Sequence, residues 1–377
     1  MRLTVVTETY PPEVNGVAMT IGQLVQGMRQ RGHQVEVIRP RQTVDTDHEQ
    51  GDGDFLVKGA PLPGYAGLRL GLPQAWRLRE RWRRQRPDLV HVVTEGPLGW
   101  SALAAARGMG IPATSGFHTN FDHYSTHYGL GWMRPMVSAY LRTFHRRAQA
   151  TLVPTAALAA TLAGEGIPGV RVVGRGIDLS LFSPQCRNET LREGFNAHAD
   201  APVCLNVGRL APEKNLSLAE MAFDSIAAAL PGARMVWVGD GPARVAMQER
   251  HPQHHFVGVQ RGQALAMHYA SADVFLFPSL TETYGNVVAE AMASGLAVVA
   301  YRSAAASELI QDGVNGVTVS PGDRVAFVAA ARRVAEDASL RRRLATQACV
   351  SVQSRSWDQV LRHFEAALNE VRAAQGE

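Results

Sequence analysis

Two carboxylates eight residues apart, Glu282 and Glu290, flank the run Thr283-Tyr-Gly285-Asn-Val-Val-Ala289. At ~1.5 Å of rise per helical residue, that spacing covers at most roughly 12 Å. One carboxylate can then reach a sugar and the other a ribose, with a diphosphate between them. The backbone N–H groups of Gly285, Asn286 and Val287 lie at a helix start, where unpaired donors and the helix dipole attract phosphate. Taken singly, each acid has a plainer account. Glu282 is a helix-entry acid favoured by the dipole, and Glu290 is a solvated helix position.

The elements that must hold these residues are legible around them. Asp273 to Phe277 is nearly continuous apolar sequence, the pattern of a buried parallel strand. Pro278 ends it, Thr281 to Thr283 form a polar turn, and a helix is predicted from near Tyr284 to Gly295, a C′ residue. Leu296 to Ala300 is the next buried strand. The unit is βαβ, and its loop lies at the carboxyl end of the strand, where open α/β sheets bind ligands.

Glu-x7-Glu in a strand–turn–helix resembles the signature of the retaining GT-B glycosyltransferases of family 4. The resemblance covers nearly the whole chain. It implies an α/β fold of GT-B type: two Rossmann-like, doubly wound domains facing a cleft, with the donor held chiefly by the C-terminal half. The expected domains are 1–180 on the acceptor side and 197–356 for the nucleotide-sugar donor. Residues 357–377 are expected to form a helix crossing back to the first domain. The polar stretch Asp178 to Asn196 is the expected boundary.

In the first half, Leu3 to Glu8 reads as a strand, Thr9 to Gly16 as a turn-rich loop, and Val17 to Arg31 as a helix ended by Gly32. The family resemblance makes Gly16 the glycine where backbone approaches the donor diphosphate. The stretch is not GxGxxG, so a dinucleotide site has little support. Strands follow at Leu89–Val93 and Pro112–Phe117, with a helix between them. After the latter comes His118-Thr-Asn-Phe-Asp122-His123-Tyr124. The resemblance gives His118 a place facing the donor sugar, and puts Asp122 and Tyr124 on the acceptor side. His118, His123 and His127 match no helical metal-ligand spacing such as HExxH. Asp45-Thr-Asp47 and Asp52-Gly-Asp54 have the DxD form, but they sit in the polar stretch Arg41 to Lys58 and read as solvated loop.

The second half restarts the alternation with Val203 to Gly208. Arg209 and then Glu213-Lys214-Asn215 follow, similar to the family's diphosphate clamp. A departing nucleoside diphosphate gains negative charge, which Arg209 and Lys214 can stabilise in place of a metal ion. No metal site and no cofactor are expected. One departure is plain: Arg302-Ser-Ala-Ala-Ala306 lacks the glycine pair many relatives carry there.

Composition fits this reading. The chain has 377 residues, 46% hydrophobic, and a net charge of +4, enough for two cores. Its cations are nearly all Arg, Lys58 and Lys214 being the two lysines. No basic stripe with interleaved aromatics marks a nucleic-acid site. Three scattered cysteines, Cys186, Cys204 and Cys349, fit a reduced cytoplasmic setting. No apolar run reaches membrane-spanning length. The Arg-rich stretches Arg77–Arg86 and Arg134–Arg147 read either as solvated helix faces or as contacts with anionic lipid at the inner membrane face.

The expected activity is transfer of a hexose, with retention, from GDP-mannose or UDP-glucose to a lipid or glycan hydroxyl. The motifs His118-Thr-Asn-Phe, Asn15-Gly-Val and Thr281-Glu-Thr-Tyr-Gly-Asn286 look most like the mannosyl-, glucosyl- and sulfoquinovosyl-diacylglycerol branch. The competing readings are a soluble or polysaccharide-precursor acceptor, a sugar-nucleotide epimerase, a nicotinamide oxidoreductase and a non-catalytic nucleotide binder. Missing GxGxxG disfavours the oxidoreductase, and intact Glu282, Arg209 and Lys214 disfavour the non-catalytic binder.

Overall fold

The structure, a computed structural model, describes residues 1–13, 15–42, 54–61, 69–118, 134–198, 201–280, 282 and 284–374. The chain forms two compact units, Met1–Arg175 with Trp357–Glu377, and Gly176–Ser356.

The first unit is built on strands β1 (Arg2–Val6), β2 (Gln34–Pro40), β3 (Asp54–Val57), β4 (Gly59–Pro61), β5 (Arg69–Gly71), β6 (Leu89–Val92), β7 (Ala113–Gly116), β8 (Ala150–Val153) and β9 (Val170–Val172). Seven pair in parallel in the order β3-β2-β1-β6-β7-β8-β9, while β4 and β5 make a small antiparallel ribbon. Central strands β6, β7 and β8 are buried along their whole length, as strands covered on both faces must be. The terminal helix Trp357–Ala373 belongs to this unit. Val360, Leu361, Phe364 and Leu368 share one face of it, and all four are buried with Leu3, Val5, Ile21 and Leu24. Gly27 allows that close packing: a Cβ there would lie 2.3 Å from Leu361 Cδ1. Each such apolar side chain contributes about 1.5–3 kcal/mol when fully buried.

Asp54 corrects the reading of Arg41 to Lys58 as loop throughout. It opens β3, accepts from Arg39 Nε at 3.4 Å and lies 3.7 Å from Arg29. Asp45, Asp47 and Asp52 lie outside the described residues.

The second unit carries β10 (Val203–Val207), β11 (Arg234–Val238), β12 (His255–Gly258), β13 (Val274–Phe277), β14 (Ala297–Tyr301) and β15 (Val317–Val319). They form a parallel sheet in the order β12-β11-β10-β13-β14-β15. The stretch 178–196, read as a boundary, packs into this unit instead. Phe182 and Phe195 enter its core, and Arg192, 1% exposed, donates to Asp273 Oδ2 at 2.9 Å and to Ser271 O at 2.8 Å. Its Ser-Pro and polar residues imitate a linker, but the aromatic anchors decide its place.

Both sheets reverse their winding once. In the first the reversal falls between β1 and β6, and in the second between β10 and β13. Loops leaving the carboxyl ends of those strands diverge and open a crevice, the usual ligand position in this architecture.

Candidate active site

The loops at the second sheet's reversal bring together residues far apart in sequence. After β10 the chain turns through Gly208 into Arg209-Leu-Ala-Pro-Glu-Lys214. Gly239 (φ +136) lets the loop after β11 lie directly on this one, since a Cβ there would fall 1.9 Å from the Gly208 carbonyl oxygen. Leu210 N donates to Asp240 O at 2.9 Å and Ala243 N to Leu210 O at 2.9 Å, tying the two loops. A short 3-10 turn, Pro212–Lys214, ends at Asn215 in the left-handed region (φ 54). Asn215 Nδ2 then donates to Pro278 O at 3.2 Å, fastening the loop to the end of β13.

That fastening places Lys214 against Glu282. The Lys214 ammonium forms an ion pair with Glu282 Oε1, and Ser279 Oγ donates to the same oxygen at 2.9 Å. Their side chains are only 18% and 15% exposed. A pair this desolvated is costly to break from one side, because the remaining charge stays partly buried. Arg209 lies 3.5 Å from Glu213, a buried carboxylate, while its own side chain is 40% exposed. The two residues assigned to phosphate and to sugar therefore touch each other in this structure.

The helix behind the loop spans Asn286–Ala293, two residues later than its predicted start. Gly285 adopts φ +86, and Tyr284 turns inward to the core. The N–H groups of Gly285, Asn286 and Val287 bond to no described residue. Ala305 N donates to Tyr284 O at 2.7 Å, so the stretch lacking the glycine pair still packs against this turn. It does so with Ala304 at φ 44, a region where a Cβ is strained.

Glu290 is not a solvated helix acid. It is partly buried, its Oε2 accepts from the Tyr269 hydroxyl at 2.9 Å, and Tyr269 itself is fully buried. Burial pushes the Glu290 carboxyl up to about 7, against the lowering effect of that hydrogen bond.

In the first unit Gly16 is the first residue of the helix Gly16–Gln30, capped by Asn15 Oδ1, which accepts from Ala18 N at 2.8 Å. Nothing within this unit lies within 4 Å of where a Gly16 Cβ would be, so its backbone can be approached closely. His118, 8% exposed, lies back across Gly116, whose Cβ would meet Nε2 at 2.4 Å. Arg175 donates to His118 Nδ1 at 2.6 Å. Burial first, and the Arg175 charge second, hold this imidazole neutral, well below its ordinary range. A guanidinium only donates, so the proton of the neutral ring is on Nε2.

Sequence reading missed the companions of His118. Arg175, Glu95 and His145 stand outside the motifs read from the sequence, and Glu8 reads there only as the end of a strand. Gly174-Arg-Gly176, with flexibility on both sides of a cation, was the available signal. Glu8 is 7% exposed, and burial pushes its carboxyl up to about 7, with the nearby Glu95 charge adding to the rise. Asp122, His123, Tyr124 and His127 lie outside the described residues.

Among the described residues one set, Asp224, His251 and His254, comes close enough to suggest a metal ion. Its chemistry does not fit. The two imidazoles stack in parallel at 4.6 Å, so their lone pairs do not converge. Trp237 Nε1 donates to His254 Nδ1 at 3.2 Å, which leaves the proton on Nε2.

Comparison with known proteins places this geometry. Residues 14–181 match the family model described as Glycosyltransferase Family 4, and residues 201–337 match Glycosyl transferases group 1. A GDP-mannose-dependent alpha-mannosyltransferase of Mycolicibacterium smegmatis is 35% identical over 99% of this chain and 100% of its own. An alpha-monoglucosyldiacylglycerol synthase of Acholeplasma laidlawii is 25% identical over 84% of each chain. Among solved structures, sucrose-phosphate synthase from Thermosynechococcus elongatus superposes with a TM-score of 0.83 over 99% of both chains, at 19% identity. That likeness is one of fold, the two-domain α/β arrangement called GT-B.

Proposed function

The chain belongs to glycosyltransferase family 4, and we propose that it is a retaining hexosyltransferase using GDP-mannose, with UDP-glucose the second choice, to glycosylate a lipid hydroxyl. The single observation that carries this reading is the Lys214–Glu282 pair, set at the carboxyl-end crevice of the second sheet beside three helix-start N–H groups. The donor diphosphate would lie on Gly285, Asn286 and Val287, with Arg209 and Lys214 against its oxygens and Gly16 approached by its backbone. Glu282 would hold the hexose, and Glu290, paired with Tyr269, would face the ribose.

Glu282 and Glu290 do not serve as the two carboxylates of a double displacement. Those stand about 5 Å apart across one bond, whereas Glu290 is bonded to Tyr269 inside the helix. The route that fits is attack from the donor face: the acceptor oxygen bonds to the anomeric carbon as the bond to the diphosphate oxygen breaks. That same oxygen takes the hydroxyl proton. Two cations and a set of N–H dipoles neutralise the charge that develops, so no divalent metal is required. His118, with its Nε2–H, would donate to a hydroxyl of the hexose.

The names of two relatives, a GDP-mannose-dependent alpha-mannosyltransferase and an alpha-monoglucosyldiacylglycerol synthase, support the choice of donor and of lipid acceptor. The helix Ala75–Arg84 exposes Trp76 and Arg77, Arg83 and Arg84, a face suited to anionic headgroups. Among the described residues no helix is long and apolar enough to cross a membrane.

The test is a thermal-shift screen of GDP, UDP, ADP and their sugars, followed by transfer assays with and without EDTA. A ligand that binds only the native state raises the midpoint. The reading expects GDP and GDP-mannose to shift it most and transfer to survive EDTA. Activity lost in EDTA and restored by Mg2+ or Mn2+ would overturn the metal-free route.

A further inference from the structure

The reversal point of the first sheet has the same construction as that of the second, with different chemistry. Arg209 stands two residues beyond β10 and Glu282 five beyond β13; in the first sheet Glu8 stands two beyond β1 and Glu95 three beyond β6. The Glu8 backbone N–H donates to Thr94 Oγ1 at 2.9 Å, holding the two loops together. Glu8 Oε1 accepts from Leu98 N at 3.1 Å, at the start of the helix Pro97–Gly108, and its Oε2 bonds to no described residue. Gly96 makes room, since a Cβ there would lie 2.1 Å from the Glu8 carboxylate.

Around these acids the polar atoms are buried and unbonded among the described residues. Glu95, 5% exposed, has an unbonded Oε1. His145, fully buried, points an unbonded Nε2 at it from 3.5 Å. His118 Nε2, which carries the proton, is unbonded as well. Such orphaned groups are costly to bury, and folded proteins keep few of them. Their collection where the loops of the sheet reversal meet, the usual ligand position in this architecture, calls for a ligand that completes them.

We propose that Glu8 and Glu95 form the hydroxyl-binding site for the acceptor, and that this acceptor presents a neutral polyol, glycerol or sugar, at that point. Carboxylates accept and a hydroxyl donates, so adjacent hydroxyls satisfy Glu8 Oε2 and Glu95 Oε1. A phosphate there would face two carboxylates in a partly dry crevice and be repelled. The inference rests on the glycosyltransfer reading and adds to it the class of acceptor headgroup.

Kinetics on the full chain test it, with GDP-mannose and UDP-glucose as donors. Dioleoylglycerol in mixed micelles and methyl α-mannoside serve as neutral acceptors, with phosphatidylinositol as the charged one. Glu8→Gln keeps a carbonyl oxygen for Leu98 N but removes the charge. Glu95→Gln leaves that cap untouched and supplies the same readout where Glu8→Gln fails to fold. Each variant is expected to raise the acceptor KM by about ten-fold, with the donor KM unchanged, and the thermal midpoint of Glu95→Gln is expected to stay near that of the wild type. Unchanged acceptor KM in both variants, donor and acceptor KM rising together, or a preference for phosphatidylinositol would each overturn the site. Wild-type protein that glycosylates none of these acceptors would instead reject the transfer reading itself, and the inference with it.

Discussion

The two sheet-reversal points use one backbone plan for opposite electrostatic ends. In the second unit opposite charges meet: Lys214 against Glu282, and Arg209 near Glu213. In the first, acids and imidazoles are buried together: Glu8 with Glu95, and His118 with His145. A crevice of paired cations suits a diphosphate whose charge grows during reaction. A crevice of buried acids, one of them half-protonated near neutrality, suits a neutral ligand with hydrogens to donate. Fold alone dictates neither; the side chains at four loop positions do.

The sharpest way to break this contrast is at Lys214. Lys214→Ala is expected to lower turnover by roughly 10²–10³, the usual cost of a lost charge stabiliser, and Lys214→Arg to recover only part, because a planar fork replaces a compact ammonium. Because Lys214 and Glu282 touch, Lys214→Ala combined with Glu282→Gln should cost well under the sum of the two single losses. Strict additivity in steady-state rates would mean the pair is not a functional unit.

Next in size is Glu290. Glu290→Gln is expected to weaken nucleoside diphosphate binding by ~1–3 kcal/mol through lost ribose contacts, read by titration calorimetry. Glu282→Gln should leave that affinity largely intact, since Glu282 is assigned to the hexose. Equal losses in the two variants would erase the assignment.

Stability against pH reads the buried acid that each unit holds. The Glu8 carboxyl is raised from 4.5 to about 7 on folding. The native state thus binds the extra proton between those values, and stability from this group falls as pH rises from 4.5 to 7. Below 4.5 both states are protonated and the group is silent. Glu8→Gln should therefore match the wild type near pH 4 and gain on it toward pH 8, by at most about 3 kcal/mol. Glu290→Gln should show the same trend, with its raised carboxyl also near 7. Denaturant midpoints measured across pH decide it, and a constant difference at all pH values would show that neither acid is perturbed by burial.

The smallest effect is expected at Ala304, held at φ 44. Ala304→Gly relieves backbone strain of ~1–2 kcal/mol but loosens the unfolded chain by about 0.4–1 kcal/mol. A rise of about 1–2 °C in the thermal midpoint is expected. A fall would mean the neighbouring contacts, not the backbone angle, set this turn.

Much of the architecture was written locally. Apolar runs such as Val274–Phe277 and Ala297–Tyr301 marked buried strands, and Gly32 and Gly295 marked helix ends, because strand burial and left-handed glycines are short-range properties. The residues proposed for the donor are compact in sequence too: Glu282 and Glu290 by their spacing, and Arg209 and Lys214 by resemblance to the family's diphosphate clamp. What spacing withheld was their pairing. Lys214 and Glu282 are 68 residues apart, and the parallel pairing of β10 with β13, fastened by the Asn215–Pro278 bond, brings them into contact. The first-unit cluster was hidden more fully. Glu8, Glu95, His118, His145 and Arg175 come from five separate loops and helix ends, and of these His118 alone stands in a motif the sequence shows. An acid at a strand end looks solvated in sequence; it is buried here because parallel strand order, a tertiary property, sets β1 beside β6 and closes the crevice over it.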